Sequence, residues 1–343
     1  MKAYPFFLML TASGLAAAGL GFFPARVRAE APPTLPALVL DKGQIGTRLD
    51  FDFVSGGKYF DESKIGKEAP GGFQFTDGKT TLGLSYGLTN NLTLGLSLPV
   101  IHREYSGYNV VEEYLGQCYS EGQTIPYAQT AKFAIPYTLR RTGIGDVTLE
   151  ARYRLVKLAG SLPDLAARLA GKLMVGSNGI NFDHGEINLG NGQNDLYFGI
   201  TGKGEAAFFL YDFSLDYRLR FSGSYAFTAN GNTLKINSDP GDEFKAQGGT
   251  YLNFRQLTLG VSANYINIGK SRTWLGDITE GSIGAGYYFN LTPVASVKPS
   301  PNSSFSFSVE VPVVGKNYPV DSPNLLFPSL FDYRWSLNFQ YRI

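Results

Sequence analysis

The chain has 343 residues, with 30 Lys and Arg against 29 Asp and Glu, a balance that excludes a globally basic nucleic-acid binder. Glycine reaches 41 residues and aromatic residues 14%, while charged residues are only 17%, which favours β-structure with much aromatic surface over an ordinary soluble domain. One Cys excludes an internal disulfide framework and every multi-Cys metal site, and two His leave little room for a His-rich one.

The first element in chain order is a leader. Lys2 supplies a positive start, an apolar stretch runs from Phe6 to Phe23, and Val27-Arg28-Ala29 offers small-residue cleavage chemistry. These features predict a signal peptide over 1–29, against the alternative of a retained membrane anchor. Three prolines within Glu30–Pro36 predict a short extended periplasmic segment over 30–43. After the leader no stretch offers about 18 uninterrupted apolar residues, so no transmembrane helix is expected.

From residue 44 onward the pattern is alternation, which marks half-buried strands. The first run is 44–54, with Leu49, Phe51 and Phe53 on one face and Arg48, Asp50 and Asp52 on the other. Runs at 78–88 and 92–103 follow, joined by the tight turn Thr89-Asn90-Asn91. The run 145–156 sets Val147, Leu149, Ala151, Tyr153 and Leu155 against Glu150, Arg152 and Arg154. Runs at 167–177 and 193–209 lead to a seventh, where Phe213, Leu215, Tyr217, Leu219 and Phe221 oppose Ser214, Asp216, Arg218, Arg220 and Ser222. The remaining runs fall near 243–254, 257–268, 278–289, 304–314 and 330–343. In the last of them, Phe331, Tyr333, Trp335, Leu337, Phe339, Tyr341 and Ile343 alternate with Asp332, Arg334, Ser336, Asn338, Gln340 and Arg342.

Twelve strands is an even number, and connections alternate between short and long, with long loops expected at 55–77, 104–144, 178–192, 229–242, 269–277 and 315–329. That combination predicts an all-β fold: a single transmembrane antiparallel β-barrel over 44–343, with short periplasmic turns and long extracellular loops. Closure satisfies every backbone amide in lipid without leaving an edge. A large soluble sandwich would alternate too, but aromatic residues at strand ends (Tyr86, Tyr153, Tyr287, Phe289, Tyr341) suit interfacial girdles. The expected location is the outer membrane of a Gram-negative bacterium. The partners are outer-membrane lipid and lipopolysaccharide, the barrel-assembly machinery acting on the C-terminal strand, and a small-molecule solute; no nucleic acid is among them.

Two segments carry a resemblance. LSYGLTNNLTLGLSLP at 84–99 and TGIGDVTLEARYRL at 142–155, with QNDLYFGI at 193–200, resemble motifs of the outer-membrane family labelled meta-pathway phenol-degradation proteins. The terminal strand likewise resembles those of bacterial outer-membrane barrels, except that it ends in Ile343 where Phe is usual. The resemblance implies an outer-membrane channel linked to uptake of aromatic or hydrophobic small molecules, with no catalytic residue and no cofactor.

Lumen and selectivity candidates follow from parity: Arg48, Asp50, Asp52, Glu150, Arg152, Arg154, Arg168, Lys172, Asp216, Arg218 and Arg220. Across 145–220 the polar faces hold more basic than acidic groups once Lys203 and Glu205 are included, and a basic wall biases a pore towards anions. The alternative is an internal ion-pair network that fills a narrow barrel. Tyr105, Tyr108 and Tyr114 on the 104–144 loop are candidate solute contacts through stacking. Cys118 on that loop is expected outside the cell. His102 reads as an interface residue. Asp183-His184-Gly185-Glu186 is a weak metal pattern, and no metal is expected. Neither His has an Asp two before it or a Ser two after it, so no hydrolytic arrangement is expected. The expected function is a passive diffusion channel for small molecules; a non-channel barrel, enzyme or adhesive, using its extracellular loops stays open beside it.

Overall fold

Successive residues of a strand point to opposite faces, and in this chain that alternation decides where each apolar side chain goes. The computed structural model describes residues 39–56, 58–60, 66–68, 74–108, 136–157, 163–206, 209–229, 231–254, 256–275, 278–283, 285–316 and 333–343. Among them every regular element is a strand. In chain order these are β1 Ile45–Gly56, β2 Lys58–Phe60, β3 Gly66–Glu68, β4 Gln74–Gly87, β5 Leu92–Tyr108, β6 Pro136–Ile144 and β7 Val147–Val156. Then come β8 Asp164–Leu173, β9 Ile180–Asn181, β10 Asp195–Ala206, β11 Phe209–Arg220, β12 Gly223–Ala229, β13 Asn232–Asp239 and β14 Glu243–Phe254. The last six are β15 Leu257–Ile268, β16 Ser271–Leu275, β17 Ile278–Ile283, β18 Gly286–Ser300, β19 Ser303–Lys316 and β20 Tyr333–Arg342.

The wall runs β4-β1-β20-β19-β18-β15-β14-β11-β10-β8-β7-β5, and β5 returns to β4, so the sheet closes. β6 continues β7 upward: β5 pairs with β6 through Val100↔Ile144 and with β7 through Ser97↔Thr148, on either side of Gly145-Asp146. With that broken pair taken as one, the barrel has twelve antiparallel strands. β1 and β20 form the seam in register Gly46↔Arg342 to Ser55↔Tyr333, extended by reciprocal backbone bonds between Ile45 and Ile343. Gly87 at the end of β4, Ala206 at the end of β10, Phe254 at the end of β14 and Ser300 at the end of β18 lie at the same end of the wall as Ile45 and Arg342.

Several expected boundaries move. The run expected at 278–289 is two elements, β17 and the start of β18, and the stretch between it and the run expected at 304–314 is mostly strand. Pro293 obscured it. The β18–β19 ladder passes from Leu291↔Val311 to Val294↔Ser308, skipping the stretch where Pro293 has no N–H to give. The loops expected at 229–242 and 269–277 contain parts of the hairpins β12–β13 and β16–β17, and with β9 these make a five-stranded sheet above the barrel. Gly231, at φ +71°, turns the β12–β13 hairpin. β5 is longer than expected and carries Tyr105 on the wall itself.

The outer surface is apolar. Leu82, Leu84, Leu94, Leu96, Leu169, Phe198, Leu215, Val261, Phe305 and Leu337 are all exposed. In β7, Leu149 is 49% exposed, whereas the side chain of its neighbour Glu150 is 12% exposed. Tyr86, Tyr153 and Tyr341 ring the short-turn end, while Tyr217, Phe244 and Tyr265 ring the other. An apolar band between two aromatic girdles matches a bilayer and would be unstable in water.

Candidate functional site

The inward residues line a cavity of about 620 Å³, bounded among others by Arg48, Asp50, Asp52, Glu150, Arg168 and Asp216. Its chemistry is built strand by strand. Inward parity on β7 and β8 aims Glu150 and Arg168 into the lumen, and Arg168 lies 3.2 Å from Glu150 and 3.1 Å from Asp216 of β11. Arg152 also contacts Glu150. Gly199 of β10 makes this approach possible, because a Cβ there would lie 2.2 Å from an Asp216 carboxylate oxygen.

A second network lies deeper. The side chain of Asp195 is fully buried, with Lys172 at 2.6 Å and Arg218 at 2.7 Å. Gln193 donates to the same carboxylate at 3.0 Å. Arg218 also reaches Glu243 at 3.3 Å, and Lys172 reaches Asp146 at 3.5 Å. Asp146 accepts from the backbone N–H groups of Val175, Gly176 and Asn191, so it also ties down the chain that follows β8. Tyr197 joins the two networks. The guanidinium of Arg168 lies 5.6 Å from its ring centroid and that of Arg218 5.2 Å, both within cation–π range.

On β1, β4, β19 and β20 the pairs are smaller. Arg48 lies 2.7 Å from Asp50, Lys79 3.4 Å from Asp52, and Arg334 3.4 Å from Glu310. Ser336 donates to Asp52 at 2.6 Å and Asn338 donates to Asp50. Nearer the upper end, Arg103 pairs with Asp77 at 2.7 Å and donates to the Asn188 carbonyl at 3.1 Å. The apolar side chains Val54, Tyr288, Phe75 and Ile266 form a cluster inside the barrel, and the rings of Phe75 and Tyr105 pack tilted, with centroids 4.7 Å apart.

The short-turn mouth is narrowed by residues 39–44. The Leu40 N–H donates to the Thr93 hydroxyl at 2.7 Å, and its side chain is buried. Arg154 donates to the carbonyls of Asn90 at 2.7 Å and Val39 at 3.1 Å. The segment passes so close that a Cβ on Gly87 would lie 2.0 Å from the Asp41 carbonyl oxygen.

Of the lumen candidates, Arg48, Asp50, Asp52, Glu150, Arg168, Lys172, Asp216 and Arg218 line the one cavity. Arg152 lines a smaller space near the short-turn end, and Arg154 holds the rim segment. Arg220 shares the inward parity of Arg218 near the upper end of β11, and its N–H donates to Asp242 at 3.1 Å. Tyr105 is buried on the wall instead of on a loop. Tyr108 ends β5, and Tyr114 and Cys118 lie outside the described residues. His102 faces outward and bonds Thr142 at 2.7 Å. Asp183 accepts from Gly231 N–H at 2.8 Å and His184 faces Asn181; among the described residues no group of three metal-ligating side chains comes together.

Four participants were not expected: Asp146, Asp195, Tyr197 and Glu243. Asp195 and Tyr197 share the parity of Lys203 and Glu205, so the alternation of Leu196, Phe198 and Ile200 outward could have found them. The carboxylates of Asp146, Asp195 and Glu243 change the electrostatics: with Glu150 they leave the cations at 152, 168, 172 and 218 all ion-paired. Lys245 of β14 differs. It lines the same cavity, yet no ion pair or hydrogen bond engages its ammonium group among the described residues.

No family model matches this chain, and no curated protein matches it. Solved structures do. The COG4313 outer membrane channel from Pseudomonas putida F1 is similar at TM-score 0.61 and 12% identity, over 89% of this chain and 97% of that one. The translocator domain of the autotransporter NalP from Neisseria meningitidis is similar at TM-score 0.45 and 10% identity, over 89% and 90% of the two chains. The Pseudomonas putida toluene transporter TodX is similar at TM-score 0.39 and 11% identity, over 89% of each chain. The first of these likenesses shows a shared fold, the closed outer-membrane barrel that the motifs at 84–99 and 142–155 also suggested.

Proposed function

We propose that this chain is a passive outer-membrane channel for small molecules with an apolar or aromatic body. The observation that carries the reading is the pairing of two surfaces on one wall. An apolar exterior with two aromatic girdles encloses a charged, hydroxyl-lined cavity of about 620 Å³. A soluble protein has no use for the first, and a filled structural barrel has no need of the second. The rings of Phe75 and Tyr105, with Val54, line the cavity and give an aromatic solute an apolar wall to pack on. In this reading the leader 1–29 is removed on export, residues 30–43 remain in the periplasm, and the terminal strand engages the barrel-assembly machinery. The barrel then resides among outer-membrane lipid and lipopolysaccharide.

Reconstitution into planar bilayers tests it. The expected result is a small, discrete conductance, reduced by the pairing of lumen charges and by the rim segment at 39–44. Proteoliposomes should also take up benzyl alcohol faster than protein-free vesicles. A barrel that shows heat-modifiable gel mobility yet is silent in both assays would overturn the reading and favour a non-channel barrel acting through its upper sheet and loops.

A further inference from the structure

We propose that Lys245 and Gln247 of β14 form a docking point for a solute carboxylate, so that the lumen selects small aromatic acids over their neutral analogues. The inference rests on the channel reading and names its substrate class. Three observations carry it. The first is charge availability. The other charged side chains lining the cavity all have partners: Arg48 with Asp50, Lys79 with Asp52, Arg103 with Asp77, Arg168 with Glu150 and Asp216, Lys172 with Asp146, Arg218 with Glu243, and Arg334 with Glu310. Of the charged side chains lining the cavity, Lys245 alone has none among the described residues, and the Gln247 amide two residues along the same face is also unengaged. An ammonium and an amide N–H₂ on one strand face can both donate to a carboxylate.

The second observation is what surrounds them. Lys245 pairs in register with Ile266 of β15, and Ile266 packs on the cluster of Val54, Phe75 and Tyr288. Val54 and Phe75 of that cluster line the same cavity as Lys245, so a molecule whose carboxylate reaches Lys245 has an apolar, ring-bearing wall for its body. The third is competition. Asp216 is the register partner of Lys245 on β11, but Arg168 holds it at 3.1 Å, and Arg218 holds Glu243 at 3.3 Å. The carboxylates nearest to Lys245 along the wall are thus committed elsewhere, and its charge is left to the solute. A neutral solute gains the apolar contact alone, and an inorganic anion gains the charge alone.

The test uses the full barrel in detergent and in bilayers, with benzoate and benzyl alcohol as probes. Benzoate binding is measured by calorimetry on the detergent-solubilised barrel, and separately as block of the single-channel current. Wild type should bind benzoate more tightly than benzyl alcohol. Lys245→Gln should weaken benzoate binding about tenfold, the loss expected for one charge-assisted hydrogen bond, with benzyl alcohol binding unmoved. Lys245→Arg should restore benzoate binding, which separates charge from packing. Lys245-dependent benzoate binding in a barrel that carries no current would uphold the site and overturn the channel reading. A conducting barrel whose benzoate binding is indifferent to Lys245→Gln would uphold the channel and overturn the site. Equal loss of benzoate and benzyl alcohol binding in Lys245→Gln would also overturn it, because the side chain would then act by packing.

Discussion

The two halves of the lumen wall are built on opposite plans. β7, β8, β10 and β11 present Glu150, Arg152, Arg168, Lys172, Asp195, Asp216 and Arg218, most of them ion-paired and several buried. β14, β15, β18 and β19 present mostly neutral groups, including Gln247, Ser262, Asn264, Asn290, Thr292, Ser296 and Ser306, with the apolar Tyr251 and Val294 between them. Cations are more numerous on the first half, yet it holds few that a solute can use. On the second half the cation that lines the cavity, Lys245, has no partner among the described residues, and a low-dielectric surround concentrates its field. The number of charges on a wall and the charge it offers are separate quantities, and pairing sets the difference.

The largest way to break this contrast is at Asp195. Asp195→Asn leaves Lys172 and Arg218 competing for fewer carboxylates in a fully buried position, and should destabilise the barrel by about 3–5 kcal/mol. Urea unfolding followed by gel mobility would measure it. A loss below about 1 kcal/mol would mean that the network is hydrated and not structural.

Next in size are charges placed on the lipid face, where the two halves should behave alike. Leu215→Arg on β11 and Val261→Arg on β15 should each cost roughly 2–4 kcal/mol when folding into lipid vesicles is titrated. Unequal costs would show that the difference between the halves extends through the wall to its outer face.

A smaller effect is expected from the neutral half itself. Asn264 donates to Asn290 at 2.8 Å, so Asn264→Ala should cost about 1 kcal/mol in the same unfolding assay. A cost as large as that at Asp195 would erase the distinction between an ionic and a neutral framework.

The smallest stability effect, within about 0.5 kcal/mol, is expected for Lys245→Gln, which breaks no hydrogen bond or ion pair among the described residues. Its effect on selectivity should be the reverse. In a salt gradient, Lys245→Gln should move the reversal potential towards cations by more than Arg152→Gln does, because Arg152 is held against Glu150. A larger shift from Arg152→Gln would show that the paired half sets selectivity after all.

What the sequence determined by itself is parity. Leu149 against Glu150 and Leu215 against Asp216 follow from a period of two, and lipid outside with water inside leaves each strand one way to face. The strand number and the placement of both barrel ends beside the short turns follow from repetition of that period. It was least reliable where local chemistry masked the period, as at Pro293 inside β18, and where short strands such as β12 and β13 read as loop. Which side chains meet was decided only by the tertiary structure. Asp195, Lys172 and Arg218 lie on three strands, and Glu243 on a fourth, so their pairing depends on the register between neighbouring strands. The packing of Tyr105 on Phe75 likewise comes from the register of the β4–β5 hairpin. A strand's sequence carries its own alternation, but not the stagger of its neighbours. The stagger selects which charges neutralise one another, and so it left Lys245 unpaired while its more numerous counterparts across 150–218 were consumed in pairs.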